Sequence, residues 1–356
     1  MPRWRRSFGR WNRPKSSTAG WPPALLRGAQ TSRFNLKMTA KTRNSKGSRL
    51  RLALPATSAN LGPAFDAAAL AMDFYIKIGA RTADEFSIIA TGRDREICGK
   101  LENHLILNTY REVLEVAGRP LLPLSVEIAN DIPVGKGCGS SAAARLAGIA
   151  LAVHFGRLRW ADAQIVSEAT RREHHPDNVS ACWMGGLTVA RMGGGSTDDA
   201  TAEEVVSIRP KGKWPLLLAV PNHSLPTEEA RGILPAQYSR ADAVTNIQNS
   251  LLLLAAFVQG RPDVLSVALE DRMHEPYRAA LCPLLGCLQE LKGKDGILGA
   301  ALSGAGPSVL VFLDPRASLS KTHKFIAAHL SRSGLTAELL PTSITLRGAR
   351  SSFTKI

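Results

Sequence analysis
A chain of 356 residues has room for two domains, since single hydrophobic cores stop growing at about 250–300 residues. Its composition, 44% hydrophobic and 21% charged, is that expected of a soluble globular protein, and no unbroken apolar run approaches the ~20 residues of a membrane span, so no membrane partner is expected. The net charge of +15 is lopsided: thirteen Lys or Arg and no acid lie in residues 1–50, and taking those thirteen away leaves a body of +2, which argues against nucleic acid as a partner of the folded part.

Residues 1–48 are rich in Arg, Ser, Pro and Gly without hydrophobic periodicity, and are expected to form a disordered basic extension. The preferred reading is an upstream extension with Met38 as a plausible start, on a cytoplasmic protein. An organelle-targeting segment is the alternative, and binding of the tail to nucleic acid or an anionic surface a third. Leu50–Leu54 reads as a strand and the following PATSANLGPAFD, rich in turn formers, as a loop. A second strand fits Asp73–Ala80, a helix Asn103–Ala117 on the spacing of Leu105, Leu107, Tyr110, Val113 and Leu114, and a short strand Leu124–Ala129.

The stretch IPVGKGCGSSAAAR, Ile132–Arg145, then leads into a small-residue helix over Ser140–Phe155. Asp198–Pro215 is polar and punctuated by Gly and Pro, which sets a domain boundary and predicts domains at 49–212 and 213–347. The second half offers a strand at LLLAV, helices over Asp242–Gln259 and Leu281–Leu291, a turn and strand in LSGAGPSVLVFLD, and a final helix over Ser320–Ser331. Strands and helices mixed in both halves predict an α+β protein rather than an all-parallel sheet.

The glycine-rich stretch is the first chemical signal. Each Gly-Lys pair lacks the Ser or Thr of a Walker loop, and no protein-kinase signature is present. What remains is a loop in which Gly135, Gly137 and Gly139 let the backbone approach a ligand, while Ser140, Ser141 and the helix N-terminus offer hydroxyls and amides to anionic oxygens. A hydroxyl there can also ligate Mg²⁺. A serine-capped turn without a ligand remains the alternative on this stretch alone. The five cysteines form no CxxC pair, so neither a disulfide framework nor a structural zinc site is expected, and Cys138 has no base beside it to make it a nucleophile.

Four segments in order, PATSANLGPAFD (Pro55–Asp66), PVGKGCGSSAA (Pro133–Ala143), EHHPDNVSACWMGGL (Glu173–Leu187) and LSGAGPSV (Leu302–Val309), resemble the GHMP small-molecule kinase superfamily and, within it, the homoserine kinase branch. The resemblance implies a two-domain fold, with an N-terminal ATP-binding domain like ribosomal protein S5 domain 2 and a ferredoxin-like C-terminal domain. It implies ATP-dependent phosphorylation of the side-chain hydroxyl of L-homoserine, a step towards threonine, with ATP and Mg²⁺, and it allows a homodimer.

By the same resemblance Pro133, Val134, Gly135, Lys136, Gly137, Cys138, Gly139, Ser140, Ser141, Ala142 and Ala143 hold the ATP phosphates, and Ser141 and Glu173 hold Mg²⁺, with Glu168 the rival acid. Asn60, Asp66, His175 and Asn178 surround homoserine, and Arg231 and Arg278 grip its carboxylate. Asn178, Asp177 and Arg231 are the candidate catalytic residues, Asp177 as the base unless the proton passes directly to the transferred phosphate.

The residue chemistry agrees with those roles. A zwitterion with a neutral hydroxyl needs an anion clamp, which two arginine forks supply, and a cation partner, which Asp66 supplies. His174 and His175 have no third His or Cys for a metal, so one surface and one substrate-facing histidine are expected. Ala64 and His174 stand where the family has glycines and would cost about 1–2 kcal/mol at a positive φ, and Trp183 adds bulk close to the substrate motif. A kinase of the superfamily acting on another small alcohol, and a non-catalytic metabolite-binding regulator on the same fold, remain as the other readings.

Overall fold
The computed structural model describes residues 48–193 and 204–353. The expectations for residues 1–47 therefore lie outside the described residues.

The first half builds a six-stranded sheet. In chain order it comprises β1 (Arg49–Asn60), β2 (Ala64–Thr82), β3 (Ser87–Gly92), α1 (Arg95–Cys98), α2 (Leu105–Val116), β4 (Leu124–Asn130), α3 (Ser140–Phe155), α4 (Asp162–Glu173), α5 (Asp177–Met184), β5 (Leu187–Arg191) and β6 (Glu204–Ile208). The sheet runs β3-β4-β2-β5-β6, with β1 paired antiparallel along β2. The second half adds β7 (Pro215–Val220), α6 (Thr227–Gly232), α7 (Arg240–Gln259), α8 (Leu265–Ala268), α9 (Glu275–Arg278), α10 (Pro283–Gln289), β8 (Ile297–Leu302), β9 (Val309–Leu313), α11 (Leu319–Arg332) and β10 (Glu338–Ser343). Its four strands are ordered β10-β7-β9-β8, all neighbours antiparallel.

Several expectations change. PATSAN is not loop: Pro55–Asn60 continues β1, because Ala56, Thr57, Ser58 and Ala59 are buried opposite Met72, Ala71, Leu70 and Ala69, and a register shift at Pro55/Ala56 accommodates the proline. Only Leu61–Pro63 turns. β3, β8 and β10 were not foreseen, nor was β6 in the stretch read as a polar linker. Trp183, close to the substrate motif on α5, puts its bulk into the core: it is fully buried and packs edge-on against Phe353, with ring centroids 5.5 Å apart. Ala64 has no positive φ, whereas His174 does, at 64°, closing α4 in the left-handed conformation.

The small residues of α3 explain its place. Twelve of its sixteen residues are buried, Ala142, Ala143 and Leu146–Phe155, so the helix runs through the core and its N-terminus is anchored at the cleft. α7 does the opposite. By length and composition it could cross a membrane, at a mean hydropathy of 1.3, although Asn246, Gln248 and Asn249 interrupt its apolar run. Its inward polar residues are used: Asn246 Nδ2 and Ser250 Oγ donate to Pro63 O at 2.6 and 2.8 Å, and Asn249 Nδ2 to Glu270 O at 2.8 Å. The two bonds to Pro63 fix the Leu61–Pro63 turn, and with it the start of β2, against the second half.

Candidate active site
The glycine-rich loop is held from both halves. Gly135, Gly137 and Gly139 have φ of 70°, 76° and 68°. The last two could not carry a side chain in any case: a Cβ on Gly137 would overlap Ser303 O, and one on Gly139 would overlap Thr57 Oγ1. Ser303 Oγ donates to Gly137 O at 2.8 Å and Thr57 N to Cys138 O at 3.0 Å. Lys136 turns away from the cleft, its ammonium donating to Pro221 O at 2.5 Å and Asn222 O at 2.8 Å just beyond β7. Cys138 is buried, which pushes its thiol up to about 12 and leaves it inert. The loop ends at the N-terminus of α3, whose first-turn amides have no partner within the helix.

On the α3 side, Ser141 Oγ lies 2.6 Å from both carboxylate oxygens of Glu173, the last residue of α4. Arg145, one turn beyond Ser141 on the same face, donates from Nε to Glu173 Oε1 at 2.5 Å. The sequence reading passed over Arg145, although its spacing of four from Ser141 was a readable signal. Glu168 is engaged elsewhere, by Arg171 and Arg172 on its own helix, which together hold its carboxyl below the usual range although burial opposes them. A hydroxyl and a carboxylate converging at a helix N-terminus make an oxygen donor set that suits a small hard cation keeping several waters.

Across a cleft of about 270 Å³ stand the remaining groups. Asp66, with φ of 52°, pairs with Arg231, and Arg278 lines the same wall. Asn60 reaches the cleft, but its side chain ties loops together, donating to Gly304 O at 2.8 Å and accepting from Asp66 N at 2.9 Å. His175 Nδ1 and Asn178 N both bond Asp177 Oδ1 at 2.6 Å. Burial alone would lower the His175 pKa, but the hydrogen bond and charge of Asp177 outweigh it and raise it. Asn178 Oδ1 accepts from Thr57 Oγ1 at 2.6 Å, leaving its amide nitrogen for a ligand. His174 is exposed and outside this wall.

A second cavity of about 400 Å³, not anticipated from the sequence, adjoins the loop and shares Gly135, Ser140 and Ser141 with the cleft. Ile76, Ile97, Ile106, Ile128, Ile132 and Val134 give it apolar walls, and His104 and Asn103 stand at its edge. A flat apolar group fits the one side of the loop and a small polar molecule the other, with the anion-binding amides between them.

Residues 104–186 match the family described as GHMP kinases N terminal domain, and residues 253–331 match GHMP kinases C terminal. The chain is 42% identical over 273 residues to the homoserine kinase of Solibacter usitatus, an alignment covering 76% of this chain and 87% of the relative. It is 35% identical over 294 residues to that of Deinococcus radiodurans, covering 83% and 94%. In fold it is similar to a crystal structure of homoserine kinase from Cytophaga hutchinsonii, with a TM-score of 0.70 at 23% identity over 86% of this chain and 98% of that one.

Proposed function
The chain belongs to the homoserine kinase family, within the two-domain GHMP kinase fold, and we propose a division of its two adjoining cavities between the two substrates of that reaction. The reaction is ATP-dependent phosphorylation of the side-chain hydroxyl of L-homoserine. The adenine occupies the apolar cavity, the triphosphate lies along Pro133–Ala143, and homoserine sits in the polar cleft with its carboxylate at Arg231 and Arg278 and its ammonium at Asp66. One observation carries this assignment: the α3 N-terminus and the Asp66–Arg231 pair face the same cleft, so an anion-binding end and a zwitterion-binding end meet where a hydroxyl and a γ-phosphate would react.

Ser141 and Glu173 would hold Mg²⁺, which would supply positive charge to offset that of the phosphates. The chain's own residues do the rest. The loop amides receive equatorial phosphate oxygens, Asn178 Nδ2 orients the acceptor hydroxyl, and Asp177 Oδ2, which accepts no hydrogen bond from the described residues, stands ready for its proton. The domain division at residues 212 and 213 goes with this reading, since the first sheet ends at Ile208 and the second begins at Pro215. So do a cytoplasmic site of action and a homodimer, for which the exposed Val244, Ile247, Leu251 and Val258 of α7 supply an apolar surface.

The test is ADP release by the purified protein with MgATP and a panel of homoserine, mevalonate, galactose and diphosphocytidyl-methylerythritol. Turnover with homoserine alone, lost in Arg278→Ala, is the expected result. Turnover only with another alcohol would transfer the assignment to a different kinase of the superfamily.

A further inference from the structure
His274 shares the segment HEPYR with Arg278, yet the reaction as described gives it no part. It is fully buried, and Arg278 is 1% exposed. His274 Nδ1 lies 3.1 Å from Arg278 Nη1, and His274 Nε2 lies 2.8 Å from Gly62 O. A guanidinium nitrogen only donates and a carbonyl oxygen only accepts, so Nδ1 must be the bare nitrogen and Nε2 must carry the hydrogen. The imidazole is therefore neutral and in one tautomer.

Its surroundings hold it there. Asp271 gathers the amides of Met273, His274 and Glu275 at 3.0, 2.8 and 2.7 Å, and its Oδ2 lies 3.6 Å from His274 Nε2, on the protonated side of the ring. Phe65, the neighbour of Asp66, stacks on the imidazole with centroids 5.1 Å apart and planes 27° from parallel. The same phenyl ring has the guanidinium carbons of Arg231 and Arg278 at 5.6 and 5.4 Å from its centroid. Arg278 Nε donates to Ala230 O at 2.8 Å, so two bonds, to Ala230 and to His274, fix the plane of its fork.

We propose that His274 is a positioning residue for substrate recognition: as the neutral Nε2–H tautomer it accepts from Arg278 and aims the guanidinium that receives the homoserine carboxylate. This rests on the reading of Arg278 as a carboxylate-holding group. The charged groups facing the imidazole are Asp271 and Arg278 from its own segment and Asp66 from β2. Burial, with the charge of Arg278, outweighs the two carboxylates and lowers the imidazole pKa, so the acceptor persists through neutral pH.

Two amide substitutions separate the roles of the two ring nitrogens. In His274→Asn the side-chain oxygen can stand near Nδ1 and accept from Arg278, whereas in His274→Gln the amide nitrogen can stand near Nε2 and donate to Gly62 O. With the full-length enzyme, His274→Asn should keep KM for homoserine within about threefold of the parent, and His274→Gln should raise it about tenfold or more, with kcat and KM for MgATP little changed in both. In the parent enzyme, KM for homoserine should rise on acidification, at a pH below the ordinary imidazole value of 6.5, while KM for MgATP stays level.

Arg278→Lys is measured alongside. If it leaves KM for homoserine unchanged, the carboxylate reading of Arg278 fails and this inference fails with it. If it raises KM but the Gln variant equals or outperforms the Asn variant, or neither differs from the parent, the carboxylate reading stands and His274 is only an anchor for Gly62. Should either amide variant fail to fold, the pH profile of KM decides: a level profile overturns the proposal.

Discussion

Arg231 Nη2 stands 2.6 Å from Asp66 Oδ1 and Arg231 Nη1 3.0 Å from Asp66 Oδ2, a two-pronged ion pair between the groups proposed to receive opposite ends of the substrate. The side chains are 36% and 31% exposed, so the pair is worth about 0–1 kcal/mol and opens readily. A zwitterion can insert and give each member a new partner, whereas a ligand with a single charge leaves one member unpaired. We expect 4-hydroxybutyrate, which lacks the ammonium, and 3-aminopropan-1-ol, which lacks the carboxylate, each to lose about 100-fold or more in kcat/KM against homoserine. Rates for either analogue close to that of homoserine would refute the exchange.

Glu173 is held in place by Arg145 at Oε1, and Ser141 Oγ lies against both of its carboxylate oxygens. If this carboxylate helps to hold Mg²⁺, Glu173→Gln should raise the free Mg²⁺ needed for half-maximal rate about tenfold or more and lower kcat. Arg145→Ala, which frees the carboxylate without removing it, should give a smaller shift in the same direction. The measurement is initial rate against free Mg²⁺ at saturating ATP and homoserine, and unchanged curves for both variants would remove Glu173 from the metal's surroundings.

The three loop glycines should not respond alike. Gly135 has open space, with Ser224 Oγ the nearest atom to an added Cβ at 3.6 Å, so Gly135→Ala adds only the left-handed backbone cost of about 1 kcal/mol. A Cβ on Gly139 would collide with Thr57 Oγ1, which is itself bonded to Asn178. Gly139→Ala should therefore displace β1 or α5 from the cleft, lower kcat/KM by about 100-fold or more, and cost about 2–4 kcal/mol of stability. Thermal melts and kinetics on the two variants check the contrast, and equal losses would mean that the Thr57 contact is not what requires glycine.

The parts of this site that could be read from the sequence are those in which a few consecutive residues carry both conformation and chemistry. Gly135, Gly137 and Gly139 ahead of Ser140 announce a turn, a ligand approach and a helix start within a few residues, and α3 begins where that spacing puts it. Pro55–Asn60 has the composition of a loop, and what makes it a strand is pairing with Ala69–Met72 on the other arm of the hairpin, which composition does not express. The apolar cavity beside the loop draws on residues from Ile76 to Ala144, no two elements of which are marked by a motif. His274 lies four residues before Arg278, but its partner Gly62 is 212 positions away, and only the folded chain shows which ring nitrogen is bare.

Glu275 adds a pH dependence whose sign can be worked out. It opens α9, the short helix that ends at Arg278, and its Oε1 accepts from Leu302 N at 2.6 Å and its Oε2 from Gln289 Nε2 at 3.1 Å. Complete burial pushes its carboxyl up to about 8 from an ordinary value of 4.5, despite those hydrogen bonds. Between those two values the folded chain keeps a proton that the unfolded chain has released, so this group's contribution falls as pH rises from about 4.5 to about 8 and is level beyond. The slope is at most about 1.4 kcal/mol per pH unit. Glu275→Gln cannot ionise, so it should lack this contribution, and its Tm should gain on the parent enzyme steadily from pH 5 to pH 8. Taking the difference between the two proteins cancels the histidines and other carboxylates, which both share. Parallel Tm curves would mean that Glu275 is already ionised in the folded state, and its carboxylate would then be a permanent negative charge beneath Arg278. With the proton in place no such charge opposes the guanidinium's task, so KM for homoserine should climb more steeply above pH 8 in the parent than in the Gln variant, the loss of the substrate's own ammonium proton being common to both.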